Sequence, residues 1–179
     1  ARGAWECVRR HFRELGKDIQ SEPFTVIGVG SMDGDVFGNG MLLSPCIRLL
    51  AAFSGQHIFI DPNPPASNEA FNERRRLFEL PGSSWNDYDR KLISHGGGVY
   101  ARSSKDIPVS AEVKKWLGIR YQSIDGESLI QHLLKAPVEL LWLGGIGTYV
   151  KASSEKPEDV GDRGNDYVRV DARELGVLM

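Results

Sequence analysis

Cysteine is nearly absent. Cys7 and Cys46 are the only two in 179 residues, which excludes a disulfide scaffold and predicts reduced thiols in a cytoplasmic protein. There is no basic surplus: 22 Lys and Arg face 24 Asp and Glu, for a net charge of -2. A chain so balanced carries no electrostatic footprint for nucleic acid, and none is expected as a partner. No apolar run approaches the roughly 18 residues of a membrane span, so no membrane partner is expected either. The opening Ala1-Arg-Gly-Ala-Trp5 lacks the charged and long apolar regions of a signal peptide. No G-x-x-x-x-G-K-[ST] loop occurs, which removes P-loop nucleotide hydrolysis. His95-Gly-Gly-Gly98 has the look of an esterase oxyanion segment, but without a G-x-S-x-G elbow it has no nucleophile to serve. His11, His57 and His132 stand at no metal-ligand spacing, and no metal is expected. Internal repeats and low-complexity tracts are also missing.

What remains is an ordinary globular composition, 41% apolar and 26% charged, in a length that can remove about two-thirds of its unfolded surface from water. Trp5, Val8, Phe12 and Leu15 recur at helical spacing, and Gly16 is a fitting stop, so residues 1–22 read as a leading helix and linker. Phe24 to Val29 is a continuous apolar run, the signature of a strand covered on both faces. A helix is predicted from Asp35 to Phe53, with Leu43, Ile47 and Leu50 on one side, although Gly38, Gly40 and Pro45 interrupt it. His57–Ile60 reads as a short strand ending in Asp61, before Pro62, Pro64 and Pro65 force a loop. Ser67 is placed to cap a helix closed by Pro81-Gly82, and another helix is predicted from about Ser84. Further helices are expected before Gly118 and over Ser128–Lys135, then a strand over Val138–Leu143 that breaks at Gly144-Gly-Ile-Gly147. Lys151 to Asp166 reads as a polar loop, and Leu175–Met179 as the beginning of a strand. Alternating strands and helices predict an α/β fold of Rossmann-like type, a doubly wound, mostly parallel sheet with helices on both faces, in a single domain spanning 1–179.

The richest segment is Phe24-Thr-Val-Ile-Gly28-Val-Gly30-Ser-Met-Asp-Gly34-Asp-Val. A buried strand runs into a glycine turn and a helix start, the arrangement that brings backbone amides close to a pyrophosphate. Gly28 and Gly30 fit the first two glycines of the dinucleotide fingerprint. The third is displaced to Gly34, giving G-x-G-x-x-x-G. A tight turn with a purely structural purpose remains the bland reading. Asp61 ends the second expected strand, where a carboxylate can accept from a ribose 2′-hydroxyl and repel a 2′-phosphate; this favours NAD over NADP. Its distance from the glycines exceeds the roughly 20 residues usual. A calcium loop starting at Asp33 fails because Phe37 occupies a ligand position and Ser44 stands where a bidentate Glu should be. A methyltransferase-like domain binding S-adenosylmethionine is the rival nucleotide reading, but Val26 and Ile27 occupy positions where such enzymes carry an acid. A non-catalytic regulatory domain of nucleotide fold is the other alternative.

Longer blocks are more specific. Gly30-Ser-Met-Asp-Gly-Asp-Val-Phe-Gly-Asn-Gly-Met-Leu-Leu-Ser44, Phe59-Ile-Asp61-Pro, Ser94-His-Gly-Gly-Gly-Val-Tyr100, Leu140-Leu-Trp-Leu-Gly-Gly-Ile-Gly-Thr-Tyr-Val-Lys-Ala152 and Val160-Gly-Asp-Arg-Gly-Asn-Asp166 resemble, in order, the large NAD-dependent glutamate dehydrogenases of bacteria. The resemblance implies the coenzyme-binding domain of a much longer polypeptide, in keeping with ends that look cut. It implies oxidative deamination of L-glutamate to 2-oxoglutarate and ammonia, NAD as cofactor, a substrate domain elsewhere in the chain and a homo-oligomeric enzyme. The family's catalytic lysine and aspartate precede this segment, so no catalytic residue is assigned here.

Roles follow from that resemblance. Backbone amides from Gly30 through Ser31, Met32, Gly34, Asp35 and Val36, with Gly28 below them, are expected at the pyrophosphate. Asp61 is expected at the adenine ribose, and Gly144 and Gly145 at the nicotinamide ribose. Leu143 stands where relatives often place Asn, which removes one polar group from the nicotinamide side.

Overall fold

The computed structural model describes residues 1–65 and 67–179. Among the described residues, five α-helices span Arg2–Glu14 (α1), Asp35–Met41 (α2), Asn68–Glu79 (α3), Ala111–Leu117 (α4) and Gly126–Lys135 (α5). In the same residues, nine strands span Phe24–Val29 (β1), Ile47–Phe53 (β2), His57–Ile60 (β3), Gly98–Ala101 (β4), Ile107–Pro108 (β5), Ser123–Ile124 (β6), Leu140–Leu143 (β7), Val150–Lys151 (β8) and Val170–Asp171 (β9). The architecture is α/β, built on a five-stranded sheet in the order β4-β3-β2-β1-β7.

The sheet is mixed. β1 pairs parallel with both β2 and β7, whereas β3 runs antiparallel to β2, and β4 antiparallel to β3. Hydrophobic cores cover both faces. One holds α1, α2 and α3 through Trp5, Phe12, Phe37, Met41 and Leu77, and the other holds α4 and α5 through Val113, Leu129, Ile130 and Leu133. β1 and β2 are buried almost throughout, which is why their residues form unbroken apolar runs rather than alternating ones.

The helix expected from Asp35 to Phe53 is corrected. It ends at Met41, and Ile47–Phe53 is a strand. Pro45 blocks continuation of the helix. In a run where nearly every residue is apolar, the spacing of Leu43, Ile47 and Leu50 fits either period, so spacing cannot decide. Tertiary pairing decides it, because Ile47–Phe53 fills the slot between β1 and β3. The next strand then returns through the short turn Ser54-Gly55-Gln56, where Ser54 N donates to His57 O at 2.9 Å. This hairpin reverses β3.

Other expectations hold with adjustments. α1 ends before Gly16, whose φ is +76°, and α4 ends on Gly118 in the left-handed region at φ +67°. Ser67 occupies the N-cap position of α3, but its side chain makes no cap hydrogen bond. From Ser84 a single 3₁₀ turn forms, Trp85–Asp87, closed by a reciprocal Ser84–Asp87 capping box. The expected strand over 138–143 is regular from Leu140. Val177 bridges Val138 in parallel, and Leu178 N donates to Val138 O at 2.9 Å, so the last residues do lie along β7. The polar stretch 151–166 contains short 3₁₀ turns held by buried Arg169, which donates to Thr148 O, Pro157 O and Asp162 O and to the Asp166 carboxylate. Among the described residues, no helix is long and apolar enough to cross a membrane.

Candidate functional site

β1, β2 and β7 point their carboxyl ends at the same edge of the sheet, and the glycine turn Gly30–Gly34 sits in the middle of it. Its first residue is held from two sides. Gly30 N donates to Phe53 O at 2.8 Å, and buried Trp85 donates its indole N–H to Gly30 O at 2.8 Å. Just before it, Val29 O accepts from Gly144 N at 2.7 Å. The turn closes with Gly34 N donating to Ser31 O at 3.0 Å. Gly34 is the N-cap of α2 in extended conformation, with φ -76° and ψ 131°, and no side chain caps the helix. The first-turn amides of α2 are therefore left to solvent or a ligand.

The glycines divide into two groups. A Cβ on Gly28 would come 2.1 Å from Phe37 Cε2, and one on Gly30 would come 2.5 Å from Phe37 Cβ. On Gly144 it would stand 2.4 Å from Val29 O and 3.0 Å from Phe37 Cβ. Gly28 and Gly30 are bare because Phe37, fully buried against Trp85, lies against their backbone, and Gly144 because Val29 O stands where its Cβ would be. The second group faces open space. Gly145, with φ +81°, would place a Cβ with no neighbour within 4 Å, and Gly34 would meet only Ser31 O at 3.1 Å.

A cleft of about 330 Å³ opens above the turn. It is lined by Ser31, Asp33 and Gly34 of the turn, by Ser54 and Gly55 after β2, and by Ile146, Tyr149 and Asn165. It adjoins a second hollow of about 230 Å³ that shares Ser31, Asp33, Ser54 and Gly55 and reaches Gln56, Ser83 and Ser84. Arg102, just past β4, lines the first cleft and braces it. Its guanidinium donates to Ser54 O at 3.3 Å, to Tyr149 Oη at 3.3 Å and to Asn165 Oδ1 at 2.9 Å. Asn165 in turn donates to Asp162, which also accepts from Thr148 N at 2.8 Å. Those bonds hold the Asp162 carboxyl below its ordinary range. No local pattern singles out Arg102, Ser54, Tyr149 or Asn165. They come from separate segments that only the fold brings together.

Of the residues expected at a nucleotide site, Ser31 and Gly34 line the cleft, and Gly145 is open to solvent on the same edge. Met32 is 1% exposed, its side chain in the core beneath α2. Asp35 accepts from Asn39 Nδ2 at 2.8 Å, and Val36 is 38% exposed. Gly28, Gly30 and Gly144 shape the turn from below.

Asp61 does not join them. Because β3 is antiparallel, its carboxyl end runs away from the glycine turn, and Asp61 N donates back to Leu50 O at 2.8 Å. Asp61 is 1% exposed. Its Oδ1 accepts from the hydroxyl of Ser94 and from Ser94 N at 3.2 Å. Burial pushes the carboxyl above its ordinary range, against the opposing pull of these bonds. Asp61 thus ties the loop before β4 to the sheet. The expectation that it holds a ribose assumed a parallel β3.

The whole chain, residues 1–179, matches the family described as bacterial NAD-glutamate dehydrogenase, catalytic domain. Among curated proteins, it is 61% identical to the NAD-specific glutamate dehydrogenase of Mycobacterium tuberculosis and 58% identical to that of Pseudomonas aeruginosa. It is 54% identical to that of Halomonas elongata. In each comparison 98% of this chain is covered, and it spans 11% of the relative's length.

Proposed function

This chain belongs to the bacterial NAD-glutamate dehydrogenase catalytic-domain family, and from that premise we propose that it forms the NAD-binding part of such an enzyme, in a Rossmann-like arrangement. The enzyme would oxidatively deaminate L-glutamate to 2-oxoglutarate and ammonia. NAD supplies the hydride acceptor. The residues of this chain bind and orient it, and the substrate is held by another part of the polypeptide.

The observation that carries the reading is the braced turn at the carboxyl edge. Amides of Ser31–Val36 lie at an uncapped helix start, with the open backbone of Gly34 beside a cleft. Anions favour that position through direct donation and the partial positive charge of the helix end. Ligands of open α/β sheets bind outside the carboxyl ends of the strands. Adenosine would extend over Ser54 and Gly55. The nicotinamide end would lie toward Gly145, where Leu143 and Ile146 are 48% and 43% exposed and offer an apolar rest for the ring. Arg102 keeps the walls in place. Asp61 has no part in coenzyme binding in this arrangement.

The test is hydrogen exchange in the full-length enzyme, with NAD, and with S-adenosylmethionine as the comparison ligand. Saturating NAD is expected to slow exchange over Ser31–Val36 and Ser54–Gln56. Protection only elsewhere, or by S-adenosylmethionine alone, would overturn the assignment.

A further inference from the structure

We propose that Asp33 is the residue by which this site prefers a coenzyme with a free adenosine 2′-hydroxyl over one carrying a 2′-phosphate. The proposal rests on the reading of the cleft as the coenzyme site and names a determinant within it.

In dinucleotide folds the discriminating carboxylate stands at the end of the strand that follows the first helix. Here that strand is β2, and it runs out into Ser54-Gly55-Gln56, which carries no acid. The nearest acid further along, Asp61, is buried on the other side of the hairpin. The discriminating group must therefore come from another element.

Among the described residues lining the two adjoining hollows, Asp33 is the single carboxylate, and it lines both. It belongs to the turn that follows β1. It shares the lining of both hollows with Ser54 and Gly55, beside which an adenosine would run once its pyrophosphate is seated on that turn. The residue is exposed, so a ligand entering the cleft can reach its carboxylate. Asp35, two residues on, is instead engaged with Asn39.

A ribose diol can donate to one carboxylate through charge-assisted bonds. A 2′-phosphate, carrying up to two negative charges, would meet the same carboxylate with repulsion and no donor. The cation on this cleft does not reverse the preference. Arg102 directs its terminal nitrogens to Ser54 O, Tyr149 Oη and Asn165 Oδ1 and does not present the free fork that phosphate recognition uses.

The test is steady-state kinetics of the full-length enzyme and its Asp33→Asn, Asp33→Ser and Asp33→Glu variants with NAD and with NADP. Loss of a charge-assisted bond predicts a rise of about tenfold or more in KM for NAD in the Asn and Ser variants, with kcat nearly unchanged. NADP use should rise in the same variants, so that the NAD-to-NADP ratio of kcat/KM falls further than NAD use alone. Asp33→Glu should keep the preference. An unchanged ratio in both Asn and Ser variants, with circular dichroism matching the parent, would overturn the proposal while leaving the site intact. If NAD protects no amide of Ser31–Val36 in the parent enzyme, the site reading fails and the proposal with it.

Discussion

The claim that Gly28 serves Phe37 rather than a ligand can be tested by a double-mutant cycle. A methyl on Gly28 would sit 2.1 Å from Phe37 Cε2, inside any tolerable contact. The ring cannot move far, because Trp85 packs edge-on at 5.8 Å between centroids and the bare backbones of Gly30 and Gly144 lie against Phe37 as well. Gly28→Ala alone should therefore cost about 2 kcal/mol through overpacking. Phe37→Ala alone should cost about 4 kcal/mol, from lost burial and the cavity left behind. Independent effects would sum to about 6 kcal/mol. In the double variant the new methyl enters space vacated by the ring, so the clash disappears and one buried carbon returns about 0.8 kcal/mol. The double variant should thus lose only about 3 kcal/mol, a coupling of about 3 kcal/mol. Hydrogen exchange of the β1 amides in the full-length protein reports the local opening free energy directly. NAD binding measured alongside should partly recover in the double variant relative to Gly28→Ala. Additive losses, or a Gly28→Ala variant that exchanges like the parent, would refute the packing account of this glycine.

Gly144 and Gly145 should behave differently. Gly144→Ala meets Val29 O and should loosen the β1–β7 edge, whereas Gly145→Ala meets no atom and should cost only about 1 kcal/mol of left-handed backbone strain. If Gly145→Ala also weakens NAD binding while thermal unfolding barely shifts, the open space above it is coenzyme space; unchanged binding would exclude that. Trp85→Phe keeps most of the stack on Phe59 but leaves Gly30 O, now paired at 2.8 Å, without its donor. A loss of about 1–3 kcal/mol and faster exchange of the turn amides are expected. Asp61→Asn should leave NAD affinity within about twofold, since no contact with the cleft is lost. It should also change the pH dependence of stability. Burial raises the folded pKa of Asp61 above its unfolded value, so the parent loses stability as pH climbs from the ordinary carboxylate range through the raised value. The Asn variant lacks that decline and should gain on the parent across and above this window. Thermal melts of the two proteins at several pH values decide it; parallel curves would refute the sign.

Local chemistry determined much of this protein. The buried run Phe24–Val29, the turn at Gly30–Gly34, the stops at Gly16 and Gly118 and the helix over Ser128–Lys135, which the structure begins at Gly126, follow from apolar runs, helical spacing and glycine freedom, each legible in a few adjacent residues. The long blocks that resemble a glutamate dehydrogenase are linear too, and they identify the family. Strand direction is not linear. Whether β3 continues a parallel sheet or folds back beside β2 depends on which partner offers free backbone donors and acceptors and a buried slot. That choice moved Asp61 from an expected ribose contact to a buried tie on Ser94. The purpose of the glycines was equally hidden, since Gly28 and Gly30 are bare for a ring, Phe37, that arrives from a different element, and Gly144 for the carbonyl of Val29 on the neighbouring strand. The cleft walls, from Asp33 to Arg102 and Asn165, exist only after residues far apart in sequence are brought within hydrogen-bonding distance. Short-range steric and conformational preferences are written into neighbouring residues, whereas pairing and packing are settled by competition among distant ones, which only the folded chain resolves.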